Sequence, residues 1–296
     1  MSKYYGILAI ISASLLWGTT GTAATFSPSL SPLFIGAFAM GIGGILQCGL
    51  AISNIIQARS LLRLHYPLLV VGAIAVAIYP LAFYSSMRLS GVSIGTAVSI
   101  GSAPILSAII EYLSRDFQFT RQWAIGALLG IIGMIMLSFS DNETFQNNHV
   151  SWGVLLGLVA GFTYALYSWS ARQLMLKEIS NKAAMGATFG CGGLLLIPVM
   201  VITGSNFLTS WNNIMVGFYM AFIPMFLGYL FYGYGLSRVS ASIAITITLL
   251  EPVVSTILAI SIVGETLSLI NWIGMLLIFV CLVMVISSGL NKNSSN

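Results

Sequence analysis

One carboxylate lies at the centre of a long apolar stretch in the last quarter of the chain. The run Phe231–Ser287 is largely apolar, and Leu249-Leu250-Glu251-Pro252-Val253-Val254 lies within it. If a helix enters the bilayer near Ser240, Glu251 lies about 16 Å along it, close to the middle of the membrane. A charged group at that depth costs at least about 2.5 kcal/mol, so such residues generally face a cavity or pathway. Glu251 is therefore either a group that exchanges protons or pairs with a cation, or a structural acid bonded to a neighbouring helix.

Prolines accompany this acid. Pro252 follows Glu251 directly, and Pro104 lies in a similar apolar run earlier in the chain. Neither has an N–H, so the carbonyls of Thr248 and Ile100, four residues back, lose their helical partners. The freed oxygens could bind a ligand or merely permit a bend. The residues predicted to act as hinges are Pro80, Pro104, Pro224 and Pro252.

Aromatic side chains crowd four of the apolar runs. Trp17 and Tyr164 lie near mid-run, and their positions differ by 147, while Tyr84 and Tyr232 differ by 148 (232−84). Aromatic rings stack on flat compounds and attract ammonium groups. The alternative is an aromatic belt at the membrane surface. We predict that the binding residues are Trp17, Tyr84, Tyr164, Tyr232 and Glu251, with Glu251 also coupling to protons.

Composition places the chain in a lipid bilayer. Of its 296 residues, 58% are hydrophobic and only 6% are charged, against about 25% charged in a soluble domain. There is no GxxxxGK[ST] phosphate loop and no CxxC pair, and both histidines lie between apolar runs. These patterns predict no metal, no cofactor and no enzymatic activity. The net charge of +4 comes from residues between the runs, so it indicates orientation rather than binding to nucleic acid.

The apolar runs predict an all-α integral membrane protein with ten transmembrane helices. Lipid offers no hydrogen-bond partner, so each span must satisfy its own backbone as a helix. With both termini in the cytoplasm, ten of the eleven Lys and Arg residues fall on the cytoplasmic side and only Arg88 does not. This bias orients the chain. The predicted spans are 5–25, 32–55, 66–86, 91–112, 122–140, 151–172, 183–203, 212–235, 240–262 and 268–288.

The two halves of the chain echo each other. Phe83-Tyr84, Pro104 and Gly126 recur as Phe231-Tyr232, Pro252 and Gly274, each shifted by 148. We predict two five-span repeats, 1–144 and 145–296. Because five is odd, the second repeat enters the membrane from the opposite face, and such inverted repeats are typical of transporters with a site at the bilayer midplane.

Two smaller features are also interpreted. Glu111 and Arg115 lie one helical turn apart, which predicts an interfacial ion pair. The small residues of the fifth span favour close helix packing, and they could also support a homodimer.

The chain resembles the drug/metabolite transporter superfamily, specifically its ten-span members with two EamA-type repeats. The resemblance is carried by Leu15-Leu16-Trp17-Gly18, by Pro104 with Leu250-Glu251-Pro252, and by Gly264-Glu265-Thr266-Leu267. It covers essentially the whole chain. Arg115-Asp116-Phe117 departs from it, because the family has a Gly-Glu pair at that turn. The resemblance implies an inner-membrane carrier of amino acids, amines or related metabolites, often driven by protons, and it points to Trp17 and Glu251 as site residues.

The sequence therefore predicts a secondary transporter in a bacterial inner membrane that exports amino acids or similar small metabolites by alternating access. Its partners would be the small-molecule substrate, protons and the lipid bilayer. The first alternative is an importer of a cationic amine or quaternary ammonium compound. The second is an intramembrane enzyme or a non-transporting membrane scaffold, which the missing catalytic constellation disfavours.

Overall fold

The structure is a computed structural model that describes residues 2–115, 120–138, 149–264 and 268–291. Its helices follow the apolar runs of the sequence, because a helix pairs its own backbone groups in lipid. We number the long helices in chain order. They are α1 (Lys3–Thr25), α2 (Pro32–Leu50), α3 (Tyr66–Ser90), α4 (Val92–Leu113), α5 (Arg121–Leu137), α6 (Val150–Leu176), α7 (Asn181–Thr203), α8 (Trp211–Leu236), α9 (Ala241–Ile262) and α10 (Leu269–Asn291).

Nine of these helices are long and apolar enough to cross a membrane, counting only the described residues. The remaining one, α5, is apolar but has 17 residues. Its predicted span ran to residue 140, and residues 139 and 140 lie outside the described ranges. The protein is thus a multi-pass helical membrane protein, and its tenth span stays a prediction.

Three of the long helices are interrupted. In α1, Ser2–Trp17 is followed by a separate turn of helix, Thr20–Thr25. In α8, a π-helical turn lies at Ala221–Leu227 between Trp211–Met220 and Gly228–Leu236. In α9, Ala241–Ile247 and Leu250–Leu258 are followed by a π-helical turn at Ala259–Val263. Short helices at Ile52–Gln57, Arg59–Leu64 and Phe207–Thr209 lie in connections.

Helices from the two halves of the chain interleave. The closest neighbours are α3 with α6, α2 with α7, α5 with α10, and α1 with α8, while α4 contacts both α6 and α9. Small residues allow these approaches. A Cβ built on Gly133 of α5 would lie 2.6 Å from the Gly274 carbonyl oxygen of α10. The glycines of α5 therefore pack inside the chain rather than offering a bare face to a second copy, and the homodimer stays a prediction.

The predicted Glu111–Arg115 ion pair is wrong. Arg115 is exposed and adopts a left-handed backbone conformation with φ 61°. Glu111 is buried, and its two carboxylate oxygens accept hydrogen bonds from the backbone N–H groups of Ala241 and Ser242. The helix ends at Leu113, so Arg115 lies beyond it and does not share the face of Glu111 as i+4 spacing in a continuous helix would require. The acid therefore joins α4 to α9.

Other sequence features fall outside the described residues. The predicted boundary between the repeats, at 144 and 145, lies in the gap 139–148, and Asp116, Phe117 and residues 265–267 lie in the other two gaps. The division into repeats 1–144 and 145–296 therefore stays a prediction.

Candidate substrate-binding site

Glu251 lies at the interruption in α9. The first segment ends at Ile247 and the second begins at Leu250. Because Pro252 has no N–H to offer, the carbonyl of Thr248 accepts instead from the N–H of Glu251, at 2.9 Å. The Thr248 carbonyl is therefore bonded rather than open to a ligand. Glu251 lies beside this interruption, in the middle of α9.

The same point of α9 contacts the interruption in α1. A Cβ built on Gly18 would lie 2.6 Å from the Cβ of Val254 and 2.9 Å from the carbonyl oxygen of Glu251. A larger residue at position 18 could not be accommodated without moving one of these helices. The two broken helices thus meet at the depth of the acid.

The groups that interact electrostatically with the Glu251 carboxylate are tyrosines rather than bases. They are Tyr79 and Tyr84 of α3 and Tyr229 of α8. The Glu251 side chain is half-buried. Within the described ranges, no lysine or arginine forms an ion pair with it, and no group of three or more His, Cys, Asp or Glu side chains is placed to hold a metal ion. Among the described residues, the site therefore holds a single acid.

A cluster of aromatic rings surrounds this region. The ring centroids of Trp17 and Tyr229 are 4.7 Å apart, those of Trp17 and Tyr232 are 5.2 Å apart, and those of Tyr164 and Tyr232 are 6.4 Å apart. Three of the four predicted aromatic residues, Trp17, Tyr164 and Tyr232, thus share one buried cluster. The fourth, Tyr84, is half-buried and lies against Phe83 on the side of Glu251.

Hydrogen bonds fix the tyrosines of this cluster. The Tyr164 hydroxyl is 2.8 Å from the Thr248 hydroxyl at the break in α9. The Tyr232 hydroxyl donates to Ser168, also at 2.8 Å. Buried hydroxyls without partners are costly, so these bonds hold the rings in defined positions.

The predicted set omitted three tyrosines that the structure adds. Tyr79, Tyr167 and Tyr229 join the cluster, and the hydroxyls of Tyr167 and Tyr229 are 2.8 Å apart. Helical spacing in the sequence could have identified two of these tyrosines. Tyr229 and Tyr167 each lie three residues from a chosen tyrosine, at i+3 spacing that puts side chains on one helix face.

Trp17 also bonds to the interruption in α8. Its indole Nε1–H donates to the carbonyl of Pro224 at 2.9 Å. Pro224 lies inside the π-helical turn Ala221–Leu227, and π-helical turns widen a helix locally and expose backbone groups. Three interrupted helices, α1, α8 and α9, are therefore joined around the site.

The four predicted hinge residues occupy different settings. Pro80 and Pro104 lie inside the continuous helices α3 and α4, whereas Pro224 and Pro252 lie at the interruptions of α8 and α9. Their role as hinges stays a prediction.

A cleft of about 500 Å³ opens beside the second segments of α1 and α9. Tyr219 of α8 lies in the wall of this cleft, and the Tyr219 hydroxyl donates to the Thr19 hydroxyl at 2.8 Å. The cleft is lined by Thr19, Thr22, Ala23, Phe26, Asn212, Met215, Val216, Tyr219, Leu258 and Ile262. It therefore lies at the end of the bundle opposite to Glu111.

Interrupted apolar helices around one mid-helix acid are typical of membrane transport proteins. The sequence profile of the EamA-like transporter family matches residues 4–139 and again residues 151–287. The chain therefore belongs to the EamA-like transporter family.

Similar proteins agree with this assignment. The "Uncharacterized transporter YwfM" of Bacillus subtilis (strain 168) is 29% identical over 97% of this chain and 95% of that protein. The "Uncharacterized inner membrane transporter YicL" of Salmonella typhimurium is 24% identical over 95% of this chain and 94% of its own length. One crystal structure covers 98% of this chain and 99% of its own with a TM-score of 0.79 at 17% identity, which shows a shared fold.

Proposed function

We propose that the protein is a secondary active transporter that exports amino acids or similar small amine-bearing metabolites in exchange for protons. The observation that carries this proposal is Glu251, a mid-helix carboxylate among tyrosines with no basic partner in the described residues. A proton and a substrate ammonium group would compete for this one carboxylate. Such competition is what exchange requires, because each ligand must leave before the other binds.

The aromatic rings suit the rest of such a substrate. Trp17, Tyr84, Tyr164 and Tyr232 would line the binding cavity, where their faces attract an ammonium group and cover apolar parts of the ligand. The hydroxyls of Tyr167 and Tyr229 are 2.8 Å apart, so one donates to the other and the second keeps a proton that would donate to a carboxylate. Amino acids carry both groups, which favours them as substrates.

Alternating access between two inverted repeats would move the substrate. Local backbone features recur at a constant spacing in the two halves. The N-cap residues Gly91 and Ser240 are 149 positions apart (240−91), and so are the left-handed residues Arg115 and Gly264 (264−115). The helix neighbours support the same relation. Exchanging the repeats would map α2–α7, α4–α9 and α5–α10 onto themselves and α3–α6 onto α8–α1, and all of these pairs are in contact.

The proposed location is the inner membrane of a bacterium, with both termini in the cytoplasm. Its support is the positive charge of one end of the bundle and the printed name of the Salmonella relative, an inner membrane transporter.

The second candidate function is uptake of a cationic amine. It is favoured by the absence of any lysine or arginine paired with Glu251 in the described ranges, since a substrate carboxylate would then have only neutral donors.

Paired substrates in proteoliposomes separate these functions. Purified protein would be reconstituted with a pH gradient, and transport of each labelled amino acid would be compared with that of the amine left after removal of its carboxylate. Proton-driven movement of amino acids supports the first proposal, and movement of the amines alone supports the second. Vesicles that exchange neither compound, with or without a gradient, would mean that the chain is a scaffold.

A further inference from the structure

The end of the bundle that carries most of the basic residues is tied together by buried polar groups. Glu111 of α4 is 2% exposed. Its carboxylate oxygens accept from the N–H of Ala241 at 2.7 Å and from the N–H of Ser242 at 3.3 Å. These are the first two residues of α9. A carboxylate that accepts from free N–H groups at a helix start makes strong, charge-assisted bonds, so Glu111 holds α9 against α4.

A second bond closes the same end. Arg172 of α6 donates from Nη1 to the carbonyl of Leu236 at 2.7 Å, and Leu236 is the last residue of α8. Arg172 also interacts electrostatically with Glu111. We call Glu111 and Arg172, together with the backbone groups of Leu236, Ala241 and Ser242, the gate cluster. It joins the ends of α4, α6, α8 and α9.

The opposite end of the bundle lacks these groups. With repeat offsets of 147 to 149, the counterpart of Glu111 is Ala259 or Ile260 (111+148, 111+149), and that of Arg172 is one of the residues 23–25, which are two alanines and a threonine (172−149 to 172−147). Neither counterpart carries a charge. The cleft of about 500 Å³ lies at this place, where the second segment of α1 meets α8 and the end of α9, and its lining includes Thr22 and Leu258. Corresponding helix ends are therefore joined by a buried acid and a buried base at one end of the bundle, whereas at the other end they contact each other without charged groups beside an open cleft.

We infer that the bonds of the gate cluster close the basic end of the bundle to substrate during one part of the transport cycle. These bonds hold that end shut while the cleft is open, and they must break before the opposite conformation forms. The uncharged counterparts cannot form an equivalent closure, so the resting protein favours the state in which the basic end is closed. This inference rests on the proposed alternating access.

Reporter thiols test the inference in nanodiscs, where the labelling reagent reaches both faces of the membrane. The background would carry Cys48→Ala, Cys191→Ala and Cys281→Ala. The first reporter is Ser107→Cys, one turn before Glu111. The buried hydroxyl of Ser107 has no hydrogen-bond partner, so the substitution breaks no hydrogen bond. The second reporter is Ala23→Cys, in the lining of the cleft.

The gate variants are Glu111→Gln and Arg172→Gln. Their matched control is Glu178→Gln, which makes the same chemical change at an exposed position beyond the end of α6. Maleimide labelling of the Ser107→Cys thiol is expected to rise about tenfold in each gate variant, the population change that follows loss of one charge-assisted hydrogen bond. Labelling of the Ala23→Cys thiol is expected to fall in the same variants, because a population moves from one state to the other.

The outcomes are distinct. Unchanged labelling of both thiols in both gate variants would overturn the inference. Faster labelling of the Ser107→Cys thiol without slower labelling of the Ala23→Cys thiol would also overturn it, since that pattern indicates local loosening. Transport by the unaltered protein in proteoliposomes is measured separately, so a failed gate with intact transport contradicts only the gate, whereas absent transport contradicts the proposed function.

Discussion

The indole N–H of Trp17 donates to the carbonyl of Pro224 across 2.9 Å, joining the first half of the chain to the second. Trp17 ends the first segment of α1, and Pro224 lies in the π-helical turn of α8. The indole fits against this turn because Gly228 has no side chain in its way. The side chain and the interruption therefore depend on each other.

Gly228→Ala tests this dependence. A Cβ at position 228 would lie 2.6 Å from the Trp17 Nε1 atom, so the indole must move and its bond to Pro224 is lost. We expect substrate transport in proteoliposomes to fall by at least about tenfold, because displaced site groups lose their productive geometry. The matched control is Gly49→Ala in α2, where a Cβ meets nothing within 4 Å. Equal transport by the two variants would show that the position of Trp17 is unimportant.

Glu251→Gln removes the charge and keeps the shape of the proposed coupling group. Since the carboxylate has no ion-pair partner in the described ranges, the fold should not depend on its charge. We therefore expect unfolding temperatures close to those of the unaltered protein, with loss of pH-gradient-driven transport. Glu178→Gln, at an exposed position, is the control. A Glu251→Gln protein that still responds to the gradient would return the residue to a structural role.

Tyr164 and Thr248 are expected to be energetically coupled. Their hydroxyls are 2.8 Å apart and connect α6 to the break in α9. A double-mutant cycle with Tyr164→Phe and Thr248→Val should give a coupling energy of about 0.6–1 kcal/mol, the usual range for such bonds in membrane proteins. The measurement is the free energy of unfolding in mixed micelles. In the control cycle, Thr246→Val replaces Thr248→Val, because the Thr246 hydroxyl bonds within its own helix to Ser242. Coupling of equal size in both cycles would contradict a specific bond.

Unfolding temperatures of variants at Arg115 and Gly264 test whether these two positions are equivalent turns of the two repeats. Both have left-handed backbones, with φ 61° and φ 84°, just after the ends of α4 and α9. A side chain costs about 1 kcal/mol or more in this conformation. Arg115→Gly should therefore raise the unfolding temperature, and Gly264→Ala should lower it. A Cβ at position 264 meets no atom within 4 Å, so any loss reflects the backbone alone. Changes of the opposite sign would show that the two turns are not equivalent.

The sequence predicted most of the helix bounds to within a few residues. Bilayer thickness fixes the length of an apolar run, and lipid leaves a helix as the only local solution. The same reasoning placed Glu251 at the centre of α9, and the echoes of 147 and 148 residues selected Trp17, Tyr164 and Tyr232, which the structure brings into one cluster. The Glu111–Arg115 pair failed because helical spacing applies only within a helix, and this helix ends at Leu113, before Arg115 turns into a left-handed conformation.

What the sequence alone determined is which segments enter the membrane and which residues lie at its middle, because hydrophobicity and helical rise act locally. Only the tertiary structure decided which helices meet. The partners of Glu111 on α9, of Trp17 on α8 and of Tyr164 at the break in α9 are more than 80 residues away in the chain. Such contacts depend on the rotation of each helix and on which small residues let two backbones approach, and these follow from packing among all the helices together.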